Sequence, residues 1–162
     1  MITLGIDPGT ARLGYGVVDD ADEPRAVAFG VIETATGEAM PQRLNILYER
    51  LVEIMELHAP DALAVEQLFF ARNVTNAMTV GQARGVVLLA AARCGVPVAE
   101  YTPSEVKQAV VGYGKADKGQ MQEMVRLLLR LEHAPRPDDA ADALAVALCH
   151  AQTAPFRART GG

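Results

Sequence analysis

The sequence predicts a mixed α/β fold: a five-stranded sheet, three antiparallel strands then two parallel, with helices on both faces. Two patterns point there. The first third alternates apolar residues in short runs separated by glycine, proline and acidic turn clusters, as an antiparallel meander does. Beyond it the apolar period lengthens to three and four residues, and helical stretches alternate with single strands. Strand–helix–strand crossovers of that kind imply parallel pairing.

The elements follow in order. "ITLGID", "GYGVVDD" and "AVAFGVIET" are the three strands of the meander. In "MPQRLNILYERLVEIMELHA", Leu44, Leu47, Leu51, Ile54, Met55 and Leu57 recur at helical spacing on one face. "DALAVE" is a continuous apolar strand ending in Glu66, and Asn73–Cys94 is a long helix closed by Gly95. "VPVAEY" is the fifth strand, and Pro103 opens the helix "PSEVKQAVV". "KADKGQMQEMVRLLLRL" and "PDDAADALAVALCHAQT" are the last two helices. Residues 1–153 are expected to form a single domain, and 154–162, "APFRARTGG", a short flexible basic tail.

Composition narrows the classes. A chain of 162 residues suits one core, and with 50% hydrophobic and 22% charged residues it is not a disordered sequence. No apolar run reaches the roughly 18 residues of a membrane span, and the N-terminus lacks the pattern of a signal peptide. Cys94 and Cys149 read as reduced core residues, and a cytoplasmic location is expected. The net charge of −5 argues against a nucleic-acid partner until its distribution is considered. Residues 1–61 carry eleven acidic and four basic side chains, whereas 67–131 carry four acidic and eight basic. A basic face on an acidic protein is compatible with that distribution.

Four carboxylates sit where apolar residues are expected. Asp7 and Glu66 each follow an apolar strand directly, and Asp139 and Asp142 lie three apart in the last helix. Asp7 before Pro8-Gly9 also suits a turn, and Asp138 after Pro137 suits a helix start. Asp142 lies past the first turn and has no such role. If four carboxylates converge, each pair of unit charges ~4 Å apart repels by about 4 kcal/mol at an effective dielectric near 20. Several such pairs approach the whole stability of a domain, about 5–15 kcal/mol, so the cluster must protonate, spread or bind cations. Hard oxygen ligands with no histidine or cysteine favour Mg²⁺ or Mn²⁺, and two such ions suit in-line displacement at phosphorus.

Five blocks, "GIDPGTARLGYGVV", "EQLFFARN", "GQARGV", "VKQAVVGYGKADK" and "DAADALAVALCH", occur in the order and spacing of one family. From Ile2 to about His150 the chain resembles the RuvC Holliday-junction resolvases of the ribonuclease H-like superfamily. The resemblance implies that Asp7, Glu66, Asp139 and Asp142 hold the metal, two ions to a site, with Asp138 as the neighbouring helix-start acid that shares a face with Asp142. It implies a homodimer that binds a four-way DNA junction and nicks two strands of like polarity, leaving 5′-phosphate and 3′-hydroxyl ends. A branch-migration motor is a partner by the same resemblance.

Several residues are expected at the DNA. Phe69 matches the family's position for stacking at the crossover, and Phe70 beside it either joins it or plugs the core. Arg72 and Asn73 flank them. Lys107 and Lys118 match family DNA-contacting positions, and Lys115 joins them on charge. In the helix Asn73–Cys94, Gly81, Ala83 and Gly85 allow close approach of a second helix, and Arg84 serves either that interface or DNA. The opening block also resembles the phosphate loop of actin-like and sugar-kinase ATPases, but one copy in so short a chain cannot enclose a nucleotide. His58, His133 and His150 are assigned no role.

Overall fold

The structure, a computed structural model, describes residues 1–67 and 74–160. Strands β1 (Ile2–Asp7), β2 (Arg12–Asp19), β3 (Arg25–Glu33), β4 (Ala62–Glu66) and β5 (Val98–Tyr101) form one sheet in the order β3-β2-β1-β4-β5. β1–β2 and β2–β3 pair antiparallel, and β1–β4 and β4–β5 pair parallel. The helices are α1 (Met40–His58), α2 (Val74–Arg93), α3 (Pro103–Val111), α4 (Lys118–Leu128) and α5 (Asp138–Thr160). The expected mixed sheet, with its meander and its parallel half, is the one observed.

Strand alternation divides the sheet into two faces. Leu4, Ile6, Leu13, Val17, Leu63 and Val65 point to one side, where Leu47, Leu51 and Ile54 of α1 and Ala83, Val87 and Ala90 of α2 meet them. Gly5, Asp7, Gly14, Gly16, Ala64 and Glu66 occupy the alternate positions and face α5. From Ala140 to Ala151 every residue of α5 except Asp142 is buried. A helix apolar all round needs cover on every side. The sheet lies beneath α5, and α3 and α4 lie against it with Val106, Val110, Val125 and Leu129.

Local chemistry explains the boundaries. Thr102 caps α3 in a reciprocal pair with Glu105, and Asp117 caps α4 in the same way with Gln120. The α4 cap explains why that helix begins at Lys118 and not at Lys115, as its apolar period alone suggests. Gly95 follows α2 at φ +70°, as expected of a C-terminal glycine. The tail differs from expectation, because α5 continues through Pro155 to Thr160. Its last turns are held: the Arg157 guanidinium lies 4.6 Å from the centre of the Tyr101 ring and 3.6 Å from the Glu105 carboxylate. The expected flexible tail is outweighed by contacts no local pattern contains. Cys149 is buried and Cys94 half-buried, and both are free thiols. Among the described residues no helix is long and apolar enough to cross a membrane.

Candidate active site

β1 and β4 run parallel as neighbours, so their carboxyl ends lie side by side, and Asp7 and Glu66 are the last residues of each. The period of two puts both side chains on the α5 face. Ligand sites in open α/β sheets gather at such strand ends. α5 begins above them with Asp138 and Asp139 in its first turn and Asp142 one turn on.

How closely α5 approaches decides whether these acids meet. A Cβ on Gly14 would stand 2.0 Å from the Asp139 carbonyl oxygen, and one on Gly5 would stand 1.9 Å from that of Ala143. Any side chain there would lift the helix. Gly14 is also the register partner of Asp7, so the close approach occurs beside the first carboxylate. Gly5 and Gly14, inside their strands, therefore set the height of the helix that carries half of the acids.

Asp7, Glu66, Asp142, Lys107 and Lys118 line a pocket of about 350 Å³. Burial pushes the Asp7 carboxyl up to about 8, aided by the charges of Asp142 and Asp139 and by a hydrogen bond with Asp139. Glu66 is raised by burial and then by Asp142, with Lys107 opposing. Asp142 is raised by burial, with Lys118 opposing and Asp139 adding to the rise. Asp138 behaves differently. Hydrogen bonds from Lys118 and Gln122 hold its carboxyl below the usual range, with Lys118 Nζ 3.0 Å away and Gln122 Nε2 2.9 Å away. It faces α4, whereas Asp139 faces Asp7.

The donor set of four carboxylates, three of them raised chiefly by burial, suits hard divalent cations. Among the described residues, though, no three acid, histidine or cysteine side chains meet at one ion-sized point. The fit rests on donor chemistry and on the mutual perturbation of the acids.

The sequence-predicted residues fall into groups. Lys107 and Lys118 stand in the acid pocket, and Lys115 is exposed on the loop before α4, outside its lining. Phe69, Phe70, Arg72 and Asn73 lie outside the described residues. Arg84 is turned inward: it donates to the Glu66 carbonyl oxygen at 2.6 Å and pairs with Glu100 at 2.6 Å, with its side chain only 12% exposed. In this position it braces the end of β4 from the α2 side. Sequence reasoning missed this, because Glu100 lies sixteen positions away and on another element. It also missed Thr34 and Arg43. Thr34 donates to the Thr10 carbonyl at 2.5 Å and accepts from Arg43 Nε at 2.9 Å, which ties down the turn between Asp7 and Arg12.

A ribonuclease H-like sheet with clustered acids at the ends of its parallel strands defines a class, the metal-dependent nucleases of that fold. A family model described as crossover junction endodeoxyribonuclease RuvC matches residues 3–150. The crossover junction endodeoxyribonuclease RuvC of Chloroflexus aggregans is 60% identical over 162 residues, covering 99% of both chains. That of Roseiflexus is 58% identical over 155 residues, covering 95% of this chain and 92% of the relative. Among solved structures, Thermus thermophilus RuvC in complex with Holliday junction substrate superposes with a TM-score of 0.90 at 44% identity, covering 99% of this chain and 96% of that one. The yeast mitochondrial Holliday junction resolvase, at 12% identity and a TM-score of 0.64, shares the fold. The chain belongs to the RuvC family of crossover junction endodeoxyribonucleases. Its chemistry is accordingly that of a DNA endonuclease dependent on a divalent metal.

Proposed function

We propose that this chain resolves Holliday junctions as a homodimer, nicking two strands of like polarity symmetrically and leaving 5′-phosphate and 3′-hydroxyl ends. The observation that carries the reading is the convergence of Asp7, Glu66, Asp139 and Asp142 beside Lys107 and Lys118. The relative whose structure holds a Holliday junction substrate is similar over almost the whole chain, which supports the choice of substrate.

The four acids would hold Mg²⁺, with Mn²⁺ as a substitute and two ions per site. Bound there, the metal would supply Lewis-acid stabilisation of the phosphorane charge and a water more acidic than bulk water. The chain's own groups do the rest. Lys107 and Lys118 attract the backbone and neutralise phosphate charge that the acids would otherwise repel. Lys118 also engages Asp138, which supports the reading of Asp139 as the third carboxylate. Arg84 and the glycine face keep Glu66 and α5 in position.

Phe69 and Phe70, which follow Glu66 closely in sequence, would stack on unpaired bases at the crossover, with Arg72 and Asn73 at the neighbouring backbone and Lys115 extending the basic track. For the dimer, α2 offers Val74, Met78 and Leu89 as exposed apolar residues, and a two-fold dimer would present two equivalent sites to a substrate that is itself roughly two-fold symmetric. A cytoplasmic enzyme working with a branch-migration motor completes the proposal.

The test is an end-labelled cleavage assay on a synthetic four-way junction and on a linear duplex of the same sequence, with Mg²⁺, Mn²⁺ or chelator. Paired nicks on opposite strands of the junction alone, dependent on metal, are expected. Equal cutting of the linear duplex would contradict the choice of substrate.

A further inference from the structure

Beyond the acid pocket, on the side of Asp139, lies a second groove of about 500 Å³ lined by Arg12, Lys118, Arg136, Pro137, Asp138 and Asp139. Lys118 lines both depressions, so they adjoin. Among the described residues Arg136 forms no ion pair and is exposed. The Arg12 side chain is 54% exposed and reaches Asp139 at 3.8 Å, too far for a hydrogen bond. Two guanidiniums thus flank the acids with most of their donors directed to solvent, in a protein whose net charge is −5.

Their positions are fixed by the fold. Arg12 opens β2 directly after the turn tied down by Thr34 and Arg43, and Arg136 immediately precedes the proline that leads into α5. Arg12 thus stands in a strand, and Arg136 at the end of the connection 129–137 between α4 and α5. The guanidinium is the side chain best suited to bidentate contact with a phosphate, and the groove is large enough to admit one. A strand with its scissile phosphate over the acids and Lys107 on one side must leave past Asp139 on the other. Without cations there, the carboxylates would repel the next phosphate along the strand.

We propose that Arg12 and Arg136 form a phosphate-binding site for the strand being cut, on the opposite side of Asp139 from Lys107. The proposal rests on the nuclease reading and adds to it a second contact that fixes the direction of the strand across the acids. The basic face expected from residues 67–131 does not include it, because Arg12 and Arg136 both lie outside that span.

The test is junction affinity measured against salt, in chelator so that nothing is cut. It uses wild type, Arg136→Ala, Arg136→Glu and, as a control for net charge, Arg93→Glu at the far end of α2. Loss of one phosphate contact makes the slope of log K against log salt shallower by about 0.9, and this is expected of Arg136→Ala. Arg136→Glu should weaken binding on the order of 10-fold, and Arg93→Glu much less. A junction with a neutral methylphosphonate next to the cleavage site should weaken binding of wild type more than binding of Arg136→Ala, which keeps only Arg12 at that phosphate.

Equal slopes for wild type and Arg136→Ala would overturn the proposal, as would an Arg93→Glu effect as large as that of Arg136→Glu. A wild-type chain that failed to bind the junction at all would instead overturn the nuclease reading, and this proposal with it.

Discussion

On the α1–α2 side of the sheet, branched side chains fill the gap: Leu4, Ile6, Leu13 and Val65 interdigitate with Leu47, Leu51 and Val87. On the α5 side the gap is nearly abolished: helix backbone rests on Gly5 and Gly14, and the Leu144 side chain on Gly16. The first arrangement contributes hydrophobic burial, about 25 cal/mol per Å² of apolar surface, and tolerates small adjustments. The second contributes precision. Close-packed backbone leaves α5 little freedom to rise or slide, so Asp139 and Asp142 are held against Asp7 and Glu66 at a separation set by the sheet. The two faces divide the work: one mainly stabilises the fold, and the other holds charged groups where they repel one another.

The sharpest way to break that division is to remove a carboxylate. Asp7→Asn should lower cleavage on the order of 10³-fold, equivalent to the several kcal/mol a divalent metal supplies at ~1.36 kcal/mol per tenfold. Junction binding should survive, because Lys107 and Lys118, proposed to contact phosphate, are untouched. Loss of binding by a folded variant would mean that Asp7 has a structural role.

The opposite face should respond in the opposite manner. Leu51→Ala removes a fully buried side chain and should cost about 2–5 kcal/mol of stability, read from denaturant melts. Cleavage by the folded fraction should be unchanged. Arg84→Ala probes the link between the faces, since Arg84 lies on the α2 side yet braces Glu66. Its expected effect is about a tenfold loss of divalent-metal affinity, as for other groups that orient ligands, with little change in melting. A purely structural Arg84 would show the reverse.

The pH dependence of stability separates the faces in another way. Asp7, at about 8, and Glu66 and Asp142, also raised, bind protons more tightly in the folded chain than in the unfolded one. Their contribution to stability is therefore fully present below about pH 4 and is lost as pH climbs towards 8. In chelator, the melting temperature should fall between pH 5.5 and pH 8, and Asp7→Asn should flatten that fall. Divalent metal at pH 8 should restore stability. A wild-type slope identical to that of Asp7→Asn would contradict the electrostatic cost assigned to the cluster.

The smallest effect concerns Thr3, which is fully buried on the α5 face and whose hydroxyl has no hydrogen-bond partner among the described residues. Thr3→Val replaces that hydroxyl with a methyl group of similar size and should stabilise by up to about 1 kcal/mol. Destabilisation would mean that the hydroxyl has a partner after all.

The legible part of this protein was the part written in local periodicity. Apolar strands ending abruptly in Asp7 and Glu66, and acids at helical spacing, announced the sheet and the gathering of acids at its edge. What stayed hidden depended on which surfaces meet. Gly5 and Gly14 look like weak strand residues until α5 is known to lie over them. Arg84 looks like a surface cation until β5 brings Glu100 beside it. Arg157 looks like part of a loose tail until Tyr101 and Glu105 come within reach of it. The partners of Asp138 were hidden for the same reason, since they lie on α4, whose Lys118 and Gln122 engage it.

The most direct test of how the site is built is divalent-ion binding by Gly14→Ala, followed by titration calorimetry with Mn²⁺ beside wild type, with circular dichroism to verify the fold. The added methyl would meet the Asp139 carbonyl, so the start of α5 must shift. A drop of tenfold or more in Mn²⁺ affinity with helix content retained is the predicted result. Unchanged affinity in a folded Gly14→Ala chain would contradict the claim that the glycine face positions the acids.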